Sequence, residues 1–157
     1  MNHAFDLWMR RGALLAINLL FLMVWGVTGL AKLRTGRPAW MTEKFAGTWL
    51  ATFPGVTVSF WLLTVSELAA FTLAAVALLR GEFLARREPR WLLAMLVWSL
   101  FVFVQLGLGQ WLTGEFTGAH QLFMYFCGTL VALAWVQREC WTRAGGSEPG
   151  TSPCNAL

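Results

Sequence analysis

Four long apolar runs constrain this chain more than anything else in it. They span Gly12–Leu33, Val56–Leu79, Trp91–Leu112 and Ala119–Val136. A bilayer's hydrocarbon core of about 30 Å is crossed by roughly 20 helical residues. Lipid offers no hydrogen-bond partner to a bare backbone, so each run is predicted to be a transmembrane helix. A membrane barrel would alternate apolar and polar residues with a period of two, which these runs do not do. Composition agrees: 57% of the 157 residues are hydrophobic and 13% are charged, against about 25% charged in a soluble domain. The expected fold is an all-α integral membrane protein, four transmembrane helices in a bundle, occupying residues 1–143. The tail, residues 144–157 (AGGSEPGTSPCNAL), is rich in Gly, Ser and Pro and is expected to be disordered. Arg10 and Arg11 precede the first run as in a signal peptide. That run is long, lacks an A-x-A site and is followed by three more, so it reads as a retained helix.

Basic residues predict orientation. The N-terminal tail, the connection between runs two and three, and the C-terminal tail together carry eight Lys and Arg: Arg10, Arg11, Arg80, Arg86, Arg87, Arg90, Arg138 and Arg143. The opposite side carries four, Lys32, Arg34, Arg37 and Lys44. Both termini are therefore expected in the cytoplasm. The first outer loop places Met41, Phe45, Trp49 and Phe53 four residues apart, one stripe of a helix. A short interfacial helix over about Trp40–Thr52 follows, with Met41, Phe45 and Trp49 turned to lipid or to the bundle.

The net charge of +4 would suggest nucleic acid in a soluble protein. Here the basic residues flank apolar runs, so the expected partner is the lipid bilayer. Cys127, Cys140 and Cys154 form no C-x-x-C, and none is expected at the outer face, which argues against thiol–disulfide chemistry. Two His without clustered ligands predict no metal or haem site built by the chain.

Glu67 is the twelfth of the 24 residues in Val56–Leu79. An ionisable group at mid-bilayer costs upward of about 2.5 kcal/mol and usually faces the bundle interior. Ala70 and Ala74 share its face, with Ser66 adjoining, and small residues let helices approach. Glu67 is thus expected to point inward. Counting about 1.5 Å per residue from the outer end of each run puts Glu67 roughly 17 Å deep, Gln105 roughly 11 Å and Tyr125 roughly 9 Å. Lys32, Gln110, Glu115, His120 and Gln121 lie nearer the outer mouth. A protonated Glu67 hydrogen-bonded to Gln105 or Tyr125 is the expected buried state, with Lys32 reaching it only if its side chain points inward or the first helix runs on. The plainer reading makes Gln105 and Gln110 interhelical contacts, His120 a surface or capping residue and Lys32 a snorkelling one.

The run GVTGLAKL (Gly26–Leu33), the segment FAGTWLATFPG (Phe45–Gly55) and the central Glu67 together resemble the DoxX-like family of small four-helix membrane proteins, over roughly Leu15–Val136. The resemblance implies a bacterial or archaeal inner-membrane domain, sometimes linked to quinone-coupled sulfur oxidation or membrane redox complexes. It would make Lys32 and Glu67 the family-type polar positions. The expected function is a membrane subunit of a quinone-linked redox complex. Lys32, Glu67, Gln105, His120 and Tyr125 are then the candidate quinone contacts, the redox centre comes from a partner subunit, and self-association is also open. A non-catalytic subunit of a larger assembly is the alternative. A small transporter ranks third, since no broken helix or inverted repeat is evident.

Overall fold

The computed structural model describes residues 3–52, 55–84 and 88–144. Five α-helices and one 3-10 turn make up the fold: α1 (His3–Thr35), α2 (Ala39–Lys44), the 3-10 turn Trp49–Thr52, α3 (Gly55–Leu79), α4 (Arg90–Leu112) and α5 (Phe116–Ala144). No strand occurs among the described residues. Helices α1, α3, α4 and α5 are long and apolar enough to cross a membrane, and the chain is an all-α, multi-pass membrane protein. α3 and α4 match the apolar runs to within a residue at each end. α1 and α5 run on into polar sequence, with 33 and 29 residues. The last expected tail residues (145–157), with Cys154, lie outside the described residues, as do Phe53, Arg86 and Arg87.

α3 is the centre of the bundle. α1 packs on one flank, α4 on another, and α5 packs chiefly on α4. The central position follows from α3's small residues. Ala70, Ala74 and Ala77 are completely buried, and their i, i+4, i+7 spacing keeps one narrow face open to close neighbours. Large side chains fill the space that they leave: Phe21 and Trp25 from α1, Met95, Leu96 and Phe103 from α4. Two glycines of α1 allow the α1–α3 approach. A Cβ on Gly26 would sit 2.9 Å from the Phe71 ring, and one on Gly29 would sit 3.1 Å from Leu68 and 3.6 Å from the Glu67 Cβ.

Several polar groups inside the bundle are paired across helices, which relieves the cost of a dry interior. The buried Trp25 indole donates to Ser99 Oγ at 2.8 Å, and Trp98 Nε1 donates to the Ser66 carbonyl at 2.9 Å. Asn18 is buried against α3. In the amide orientation that satisfies both its groups, it donates to the Ala74 carbonyl (3.0 Å) and accepts from the Leu78 N–H (3.2 Å). On the outside, large apolar side chains of all four spanning helices stay exposed, among them Met23, Val65, Phe101 and Val131, as expected for a surface that meets lipid.

The first loop departs from the expected single helix. α2 ends at Lys44, residues 45–48 form turns, and the 3-10 turn follows. Ala46, Gly47 and Thr48 interrupt the stripe. The Thr48 hydroxyl accordingly donates to the Phe45 carbonyl three residues back (2.8 Å), a local bond that competes with helix continuation. Phe45 and Leu50 are buried, Met41 is half-buried and Trp49 is exposed. The break turns Leu50 inward in place of Trp49.

Candidate functional site

The stagger of the helices creates the site. Gly29 packs against Glu67, so the two lie at one level. From that level α1 continues only six residues, to Thr35, or roughly 9 Å, whereas α3 continues twelve, to Gly55, or roughly 18 Å. α4 also runs on to Leu112. α1 therefore stops short, and a notch opens above its end between α3 and α4. The segment 36–52 folds back over that notch. The space beneath it is a cavity of about 440 Å³, walled by Phe60, Leu63 and Leu106 of α3 and α4 and by Trp40, Met41, Phe45 and Leu50 of the covering segment. Lys32, Lys44, Gln105 and Gln110 are the polar side chains that line it, with Thr35 and Ser59 at its edge.

Glu67 lies at the inner side of this space, 1% exposed. Its partner is Lys32, whose Nζ stands 2.5 Å from Glu67 Oε1. Gln105 and Tyr125, the first expected neighbours of Glu67, are not its partners; Lys32, expected only if its side chain pointed inward or the first helix ran on, is, and α1 does run on to Thr35. Lys32 is not a residue at a span end that reaches for water. α1 carries it below the covering segment, three residues ahead of Thr35, and the ammonium turns inward to the carboxylate. The pair is neutral as a unit whichever group holds the shared proton, which removes the cost of a lone charge in a dry interior. Glu67 Oε2, Gln105 Oε1 and Gln110 Oε1 are buried without a hydrogen-bond partner. One carboxylate oxygen and two amide oxygens beside a cavity thus retain unused accepting capacity.

Of the five expected contacts, Lys32 and Gln105 line the cavity and Glu67 is bonded to Lys32. His120 and Tyr125 stand apart. Both lie on α5, which packs chiefly on α4. Tyr125 is 61% exposed, its ring 6.2 Å from that of Phe103. His120 is exposed at the rim of a separate apolar groove between α4 and α5, lined by Phe103, Trp111 and Phe123. Cys127 of α5 is half-buried and free.

Two polar contacts had no counterpart in the sequence reading. Lys44 Nζ bonds Glu115 Oε2 at 2.7 Å, tying the covering segment to the turn between α4 and α5. On the opposite side, buried Glu82 accepts from the Trp91 N–H (3.1 Å) and the Leu92 N–H (2.9 Å), which are the first free donors of α4. The helix begins after Pro89, which offers no side-chain cap. A helix start without a Ser, Thr, Asp or Asn cap leaves its donors in need of an acceptor from elsewhere. That deficit was the available signal for Glu82. The Arg80 guanidinium lies over the Trp91 ring, 5.1 Å from its centroid. Burial pushes the Glu82 carboxyl above the ordinary range; the two N–H bonds and Arg80 oppose that shift without cancelling it.

Comparison with family models, with curated proteins and with solved structures finds no match to this chain.

Proposed function

We propose that this chain is a DoxX-like membrane subunit of a quinone-linked redox complex, in a bacterial or archaeal inner membrane with both termini cytoplasmic, and that the covered cavity takes the quinone ring. One observation carries the reading: an apolar, aromatic cavity lies between α3 and α4 above the end of α1, beside a Lys–Glu pair whose carboxylate is buried. A quinone needs flat apolar walls, hydrogen-bond donors for its two carbonyl oxygens and a source of protons. Phe60, Trp40 and Leu63 suit the first need. The amide nitrogens of Gln105 and Gln110 and the Lys32 ammonium suit the second. The Lys32–Glu67 pair suits the third, since it can release or accept a proton within hydrogen-bond reach of the cavity wall. Reduction of a quinone to a quinol consumes two electrons and two protons. The electrons are assigned to a redox centre on a partner subunit.

The test is binding in lipid nanodiscs, read by quenching of tryptophan fluorescence with a short-tailed quinone. Trp40 and Trp49 line the cavity, so saturable quenching is expected. Leu63→Trp, which fills the space, should abolish the saturable part. Quenching that only rises in proportion to quinone in the membrane, in the native chain as in Leu63→Trp, would sink the proposal.

A second reading, a non-catalytic subunit of a larger membrane assembly, draws on α5. It is the least buried of the four spanning helices, and its exposed face carries Gln121 and Tyr125 among apolar residues. Exposed polar side chains within a span favour a protein neighbour over lipid. A stable monomer in mild detergent and in nanodiscs would count against it.

A further inference from the structure

We infer that the segment Ala39–Thr52 is a gate over the cavity, held shut by the Lys44–Glu115 ion pair. Four observations meet here. First, the segment supplies one whole wall of the cavity through Trp40, Met41, Phe45 and Leu50. Second, its buried side chains do not belong to the main core. Phe45 and Leu50 form a small cluster of their own with Val56, to which, among the described residues, Met41 and Leu112 add. A segment with its own small cluster opens at lower cost than one anchored in the common core. Third, it starts from Gly36, whose φ of +65° only glycine holds without strain, so the chain pivots where no side chain resists. Fourth, among the described residues one ion pair joins it to the rest of the bundle. The Lys44 ammonium meets Glu115 at 2.7 Å and also sits 5.7 Å from the centre of the Trp40 ring. The Glu115 side chain is half-exposed, and the Lys44 side chain keeps about a quarter of its surface open.

A pair of that exposure is weak and is screened by salt. It suits a latch better than a permanent fastening. Glu115 lies in the turn that joins α4 to α5, so anything that moves this turn moves the latch as well.

The inference concerns access, not the identity of the occupant, and stands or falls apart from quinone binding. The test uses the full chain in nanodiscs, with Cys127→Ala, Cys140→Ser and Cys154→Ser as background and Leu63→Cys as a reporter in the cavity wall. A small water-soluble thiol reagent labels the reporter only when the gate opens. Lys44→Glu and Glu115→Lys each place like charges in the latch. Each is expected to raise the labelling rate by about three- to ten-fold. The double exchange Lys44→Glu/Glu115→Lys restores an opposite-charge pair and should return the rate to within about two-fold of the background chain. Glu115→Gln, which removes one charge without repulsion, should give a smaller rise and serves if a reversal fails to fold. Equal rates in all variants, or a double exchange as fast as the single reversals, would overturn the gate.

Discussion

Lys32 and Glu67 neutralise each other inside a membrane, and their energetics belong to the pair. Breaking a buried ion pair from one side costs about 3–5 kcal/mol, because the other charge is left uncompensated. The Lys32 side chain keeps 26% of its surface open, so a loss of about 2–3 kcal/mol is expected for Lys32→Met and for Glu67→Gln alike. Glu67→Gln would be mild if the carboxyl met only neutral partners; against Lys32 it strands an ammonium. The double variant Lys32→Met/Glu67→Met should be closer to the native chain than either single one. Thermal unfolding in detergent measures this cycle, and additive losses would mean that the two residues act independently. The inward orientation of Glu67 was legible in the sequence, since Ala70 and Ala74 lie on its face. Its partner was not, because the depth count assumed that the four helices begin level. α1 ends about 9 Å short of α3, which lowers Lys32 to the carboxylate.

At the scale of the element, α4 shows a helix start capped from a distance. Glu82 supplies the acceptor that Pro89 cannot, and burial raises the proton affinity of its carboxyl. The direction fixes the sign of the pH dependence. A carboxyl more easily protonated in the folded than in the unfolded chain adds stability that is full below its ordinary value of 4.5. That contribution is lost as pH rises through the elevated folded value. The unfolding temperature should therefore fall with pH over this interval, and Glu82→Gln should flatten the fall. An unchanged slope in Glu82→Gln would assign the dependence to other groups. The elements themselves were unevenly legible. α3 and α4 end where their apolar runs end, because lipid dictates their length. α1 and α5 overrun theirs, because helices continue beyond the lipid into sequence such as His3–Arg11, on which hydropathy is silent. The broken first loop escaped a reading based on spacing alone. Four-residue periodicity registered the stripe but not the Gly47 and Thr48 that interrupt it.

At the scale of the whole molecule, the two terminal tails and the connection between the second and third spanning helices carry eight of the twelve Lys and Arg. A reporter fused after Arg143 should read cytoplasmic, by the tendency of basic residues to remain inside; a periplasmic signal would invert the molecule and put the cavity in the inner leaflet. In either orientation the number of helices and their apolar character were plain from composition and run length. The notch above α1 was not, for it arises from relative displacement of helices, which no single segment encodes. That displacement has an electrical consequence. Glu67 is twelve residues from one end of a 25-residue helix, about halfway across the membrane. A full crossing of the membrane voltage is worth about 2.3 kcal/mol per charge for each 100 mV. Any charge carried from the mouth of the cavity to the level of Glu67 would traverse about half the span, which is worth roughly 1 kcal/mol for each 100 mV. The floor of the cavity is thereby a place where a bound charge feels the energised state of the surrounding membrane.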